Sequence, residues 1–304
     1  MKILVGGSVA IDNVKTPVAD EKNLLGGSAS YASLAAAKLS SPVSLIGVVG
    51  HDFPREHLEM LSDNEVDLSG LEYSEQESFT WTGEYHENMN DRTTHDVAIN
   101  VLEHWEVKVP EHLKSAEFIV LANMAPVNQL QMLSQCNADK KFVVADTMDL
   151  WISVANEELH QVLTKIDLLV INEGEAREFA GTNNLILAGE QLLKKGPQYV
   201  VVKLGEFGAL LFSQDGSFFR CGAWPLRELA DPTGAGDTFL GGLIGSLAAE
   251  EAVNPTFTQL KQAVVKGSIL ASFTCENFST KSLEIADSTK FMDRMKQFQQ
   301  ISQW

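Results

Sequence analysis

Cysteine is scarce in this chain: Cys136, Cys221 and Cys275 are the only three in 304 residues. Their number is odd and none stands in a Cys-x-x-Cys or Cys/His spacing, so neither a disulfide framework nor a zinc site is expected. Three thiols kept reduced in the cytoplasm is the reading that remains. Positive charge is scarce too, with 23 Lys and Arg against 41 Asp and Glu and a formal net charge of -18. Such a field repels a polyphosphate backbone or an anionic bilayer from most directions, which argues against nucleic acid and membrane as partners. It also disfavours ATP, so a nucleotide site here has to rely on a metal ion, helix N-termini and a few local cations. Long hydrophobic runs are absent: Met1-Lys2-Ile3-Leu4-Val5-Gly6-Gly7 is apolar for only a few residues, too few for a signal or membrane span, and reads as a first core strand. No Gly-Lys dipeptide occurs, which excludes a Walker A loop, and neither His-Arg-Asp nor Asp-Phe-Gly suggests a protein kinase. A dinucleotide-binding dehydrogenase lacks its intact G-x-G-x-x-G with a following acidic residue.

What is present is ordinary globular composition, 44% hydrophobic and 21% charged, in one 1–304 domain without repeats or linkers. Short apolar, β-branched runs recur at 3–5, 43–49, 118–122, 142–145, 168–171 and 199–202. Helix-length stretches lie between them at 30–39, 126–136, 185–195 and 237–249, the alternation of a parallel sheet covered on both faces. Two segments break this rhythm, 12–25 and 72–110. In the second, polar and aromatic residues alternate through Phe79-Thr80-Trp81-Thr82-Gly83-Glu84-Tyr85. These read as exposed strands, either a plain surface hairpin or a lid over a site, and exposed strand edges are commonly covered by a second copy, so a homodimer through the lid is expected.

The chemistry concentrates in Asp231-Pro232-Thr233-Gly234-Ala235-Gly236-Asp237. Small residues at 234–236 let the backbone turn tightly just before an apolar helix-length run, so several amides converge at a positive helix end suited to an anion. Asp237 stands beside that spot, where a carboxylate can accept the proton of an attacking hydroxyl. Capping a helix after a glycine turn would select the same residues.

The longer string Asp231 to Ile244 resembles, position for position, the C-terminal signature of the ribokinase-like (PfkB) carbohydrate kinases. That resemblance implies a ribokinase-like three-layer α/β/α fold, mainly parallel, with a small β lid. It implies Asp237 as general base, Gly234, Ala235 and Gly236 as anion hole, and ATP-dependent phosphorylation of a hydroxyl on a small sugar or sugar-like metabolite. Other segments match in the family's order. Gly26-Gly27 and Asp12 correspond to substrate contacts, although Tyr31 replaces the Asn usual in the sugar kinases. Asn172 and Glu175 correspond to an Asn-x-x-Glu motif that organises Mg2+ through water, and Lys203, Gly205 and Gly208 to a nucleotide-facing strand and turn. Asp231 and Thr233 match positions that hold a monovalent cation such as K+ in many relatives. The segment 267–273 fits a helix beside the adenine. The acceptor stays open among sugar, sugar acid, inositol and nucleoside, and a non-catalytic binding protein of the same fold is the reading against which the intact Asp237 turn argues.

Overall fold

The computed structural model describes residues 2–303. The β-branched runs become strands buried on both faces of one nine-stranded sheet. Its order is β13 (Phe218–Cys221), β12 (Ala209–Ser213), β11 (Tyr199–Lys203), β10 (Leu168–Asn172), β9 (Phe142–Ala145), β8 (Phe118–Leu121), β1 (Ile3–Gly6), β4 (Val43–Val49) and β5 (Val66–Tyr73). Everything from β11 to β5 is parallel, and β12 and β13 add an antiparallel edge.

Alternation along each strand explains the layers. Ile3, Val5, Phe118, Val120, Val144 and Val170 enter one core with the helices Ser28–Ala37, Ala235–Ala249 and Phe257–Thr274. Leu4, Ile119, Leu121, Val143, Leu169 and Ile171 enter the opposite core with the helices Pro126–Gln135, Asn156–Leu163 and Glu173–Ala180. Each such side chain removed from water contributes about 1.5–3 kcal/mol, and together they fix the sheet between two helical layers. Among the described residues no helix is long and apolar enough to cross a membrane.

A second sheet stands apart, ordered β3 (Asp20–Gly26), β2 (Ala10–Lys15), β6 (Phe79–Tyr85) and β7 (Arg92–Ala98). Its inner face, with Val14, Leu24, Trp81 and Tyr85, packs on Phe278 and Ala230 of the main domain. Its outer face is polar: Asn13 donates to Thr82 at 3.1 Å, and Glu84 pairs with Lys15 at 2.8 Å and His95 at 3.0 Å. The expected lid segments need correction. The first extends to 10–26. The second is shorter than 72–110, because Glu72 and Tyr73 complete β5, a sheet-edge strand whose one-sided burial produces the same polar alternation. At its other end Val107 and Val109 turn back into the second core.

Candidate active site

The parallel strands deliver the site residues at their C-terminal ends, where open α/β sheets bind ligands. Asp146 follows β9, Asn172 closes β10 and Lys203 closes β11 directly opposite it. Lys203 Nζ donates to Asp146 Oδ2 at 2.8 Å, both side chains largely buried. Burial works against the Lys203 ammonium, but the carboxylates of Asp146, Glu175 and Asp237 outweigh it and hold its pKa above the ordinary lysine value.

The helix Ala235–Ala249 begins where Gly234 adopts φ 75°, a left-handed conformation that opens the turn without any side-chain cap. The Ala235 N–H donates to the Pro232 carbonyl at 3.2 Å, whereas among the described residues the Gly236 N–H meets no acceptor. A Cβ placed on Gly236 would lie 3.0 Å from Lys203 Nζ, so the ammonium sits directly beside this free amide. Asp237 stands in the first turn of the helix. Burial and the Asp146 carboxylate push its pKa up to about 7, against the pull of Lys203 and Arg92. The expected anion hole, base and lysine are thus brought to one place.

Asn172 and Glu175 form a capping box: the Glu175 N–H donates to Asn172 Oδ1 at 2.9 Å, and the Asn172 N–H to Glu175 Oε2 at 3.0 Å. Glu175 nevertheless faces the cluster, its pKa raised to about 7 by burial and then by Asp146. Its second carboxylate oxygen is not used by the cap. Among the described residues no three His, Cys, Asp or Glu side chains gather as a metal cage. One half-buried carboxylate with a spare oxygen fits Mg2+ that is carried on phosphates and keeps most of its waters.

On the other side of Asp237 lies a group fed by the second sheet. Asp12 of β2 is buried, and its carboxylate lies so close over Gly26 that a Cβ there would overlap it. Among the described residues no donor reaches that carboxylate, and burial, followed by Asp231 and Asp237, raises its pKa to about 8. Gly27 precedes the helix Ser28–Ala37 that carries Tyr31. Tyr31 is only 2% exposed, with its ring against Gly234. Burial, then Asp231 and Asp12, holds its phenol well above the usual tyrosine value. Asp231 pins the turn: Oδ1 accepts the Thr233 N–H at 2.8 Å and Oδ2 the Ser279 N–H at 3.4 Å. The Thr233 hydroxyl donates to the Tyr85 hydroxyl at 3.4 Å. Gly205 and Gly208 form the turn between β11 and β12, farther out, where Asn90 of the β6–β7 loop approaches Gly205.

Three contributors are absent from the expected set. Asp146 directly follows a foreseen strand but takes its place in the site only through the pairing of β9, β10 and β11. Arg92 and Ser279 reach the site only through tertiary packing.

The model of the family described as pfkB family carbohydrate kinase matches residues 5–286. A cytidine kinase of Thermococcus kodakarensis is 28% identical over 247 residues, covering 80% of this chain and 87% of its own. A nucleoside kinase of Methanothermobacter thermautotrophicus is 26% identical over 237 residues, covering 76% and 74%. Among solved structures, a nucleoside kinase of Methanocaldococcus jannaschii, an archaeal member of the ribokinase family, superposes with a TM-score of 0.77 at 18% identity, covering 97% of this chain and 98% of its own.

Proposed function

Because the chain belongs to the pfkB family of carbohydrate kinases and so phosphorylates a small metabolite at the expense of ATP, we propose that its acceptor is an uncharged, hydroxyl-rich sugar or sugar-bearing molecule and that Asp237 is the general base. The observation that carries the assignment of the base is the placement of Asp237 beside the free Gly236 amide and the Lys203 ammonium. A carboxylate whose pKa lies near neutrality takes a hydroxyl proton efficiently at physiological pH. The acceptor hydroxyl oxygen forms its bond to the γ-phosphorus as the bond to the β-phosphate oxygen breaks, and its proton passes to Asp237.

Gly234, Ala235 and Gly236 present the helix end to the transferred group, with Lys203 supplying local positive charge. Asn172, Gly205 and Gly208 border the nucleotide. Glu175 would hold Mg2+ through water, which supplies charge neutralisation at the phosphates. Asp12, whose buried carboxyl meets no donor among the described residues, is suited to hydrogen-bond acceptor hydroxyls, and Gly26 and Gly27 let Asp12 and the 8–10 backbone pack closely at this end. The ionised Asp237 that acts as base makes this end hostile to an acid, which favours a neutral acceptor over a sugar acid.

A nucleoside is the second reading, supported by the activities named for the cytidine and nucleoside kinase relatives. ADP release measured over neutral sugars, sugar acids, inositols and nucleosides tests both. Turnover confined to neutral acceptors is expected. Turnover on sugar acids alone contradicts the acceptor class, and no ADP from any class contradicts the catalytic reading.

A further inference from the structure

Arg92 opens β7 directly opposite Tyr85 of β6. Residues facing each other across an antiparallel pair project from the same side of the sheet. Tyr85 is on the inner face, beside Phe278 and within hydrogen-bond reach of Thr233. Arg92 is therefore carried on that face too, at the level of the 231–237 turn. It makes no ion pair within 4 Å among the described residues, and nearby acids are engaged elsewhere, Glu84 by Lys15 and His95 and Asp91 by Asn88. Its field reaches both Tyr85 and Asp237, opposing part of the rise in pKa that burial imposes on each. Two residues earlier, Asn90 approaches Gly205, so the β6–β7 loop spans the distance from the acceptor end to the nucleotide turn.

The charge balance gives this guanidinium a task. Asp146, Glu175, Asp231 and Asp237 crowd the site, and Lys203 is already tied to Asp146. A nucleotide adds more negative charge, concentrated during transfer on the equatorial oxygens of the phosphoryl group. Resting on the kinase reading above, we propose that Arg92 is a catalytic residue whose guanidinium donates to those oxygens, so that transfer requires the smaller sheet to be seated on the turn. Arg92 keeps its protons throughout, the acceptor proton goes to Asp237, and ADP leaves with the electron pair of the broken P–O bond.

The test uses the full-length enzyme with Arg92→Ala, Arg92→Lys and, on the outer face, Lys15→Gln. Loss of one preorganised charge at the transferring group is expected to lower kcat of Arg92→Ala by roughly 10²–10³-fold, with acceptor KM within about threefold. Arg92→Lys should retain an intermediate rate, millimolar guanidinium should restore part of the Arg92→Ala rate and none of the Asp237→Asn rate, and Lys15→Gln should match wild type. ADP with Mg2+ and fluoroaluminate should bind wild type tighter than ADP with Mg2+ alone, and Arg92→Ala no tighter. Unchanged kcat overturns the proposal, as does a raised acceptor KM at unchanged kcat, which would make Arg92 a reader of the acceptor. If wild type transfers to no acceptor, the kinase reading fails by itself and the fluoroaluminate comparison still decides: tightening lost in Arg92→Ala supports the role, and equal tightening in both proteins overturns it.

Discussion

The ring of Tyr31 lies against the Cα of Gly234, so one side chain from the helix Ser28–Ala37 closes the space behind the turn that opens the helix Ala235–Ala249. The tyrosine that departs from the sugar-kinase pattern thereby backs the 234–236 turn proposed as the anion hole. Gly234→Ala should suffer twice, from the 75° φ and from overlap with that ring. Strain of this kind costs about 1–3 kcal/mol before the overlap is counted. The expected outcome is a melting temperature lowered by several degrees and kcat down at least about tenfold. Because removing the buried Tyr31 ring opens a cavity of its own, Gly234→Ala with Tyr31→Ala should lose less stability than the sum of the two single losses, read by calorimetry.

Asp12 predicts a pH-dependent stability. Its carboxyl stays protonated in the fold up to about pH 8 but ionises near 3.8 in the unfolded chain. The folded state therefore binds the extra proton between those values and loses stability as pH rises through them. Asp12→Asn removes that penalty. It should raise the melting temperature more at pH 8 than at pH 5, by several degrees at the higher pH, while acceptor turnover falls. A larger gain at pH 5 would contradict the burial argument.

The Lys203–Asp146 pair predicts an asymmetric double mutant. Lys203→Met leaves Asp146 as a buried carboxylate with no cation, held only by the Thr147 N–H at 2.8 Å, and should cost about 3–5 kcal/mol in denaturant unfolding. Adding Asp146→Asn should return roughly half of that loss, because the stranded charge is gone, without restoring turnover.

Asp237 predicts the acid limb of the rate profile. With its pKa near 7 and the ionised form acting as base, kcat/KM should fall as pH drops below about 7. Lys203 favours the ionised form, so Lys203→Met should move the limb to higher pH.

Much of this was legible in the sequence because it is local. The 231–237 turn and the helix after it are set by adjacent residues, and the buried parallel strands announce themselves by β-branched runs. The Asn172–Glu175 pair illustrates the limit: the three-residue spacing that suits a cap and the spacing that suits a metal-organising motif are the same, and both readings share the residues. Asp146 becomes visible as a site residue only when β9 and β11 end side by side around β10. Arg92 lies 145 positions before Asp237 and its field reaches that carboxylate only because the smaller sheet packs against the turn, an arrangement that no local pattern encodes. The lid limits failed at Glu72 for a related reason, since a sheet-edge strand and a lid strand both alternate polar and apolar residues.

The most direct test of the account is Asp237→Asn, assayed for turnover with a neutral acceptor and for Mg-ADP affinity by titration calorimetry. Removing the base while keeping the shape should lower kcat by roughly 10²–10⁴-fold and leave the ADP dissociation constant within about threefold. Turnover at the wild-type level in Asp237→Asn would contradict the assignment of Asp237 as the base.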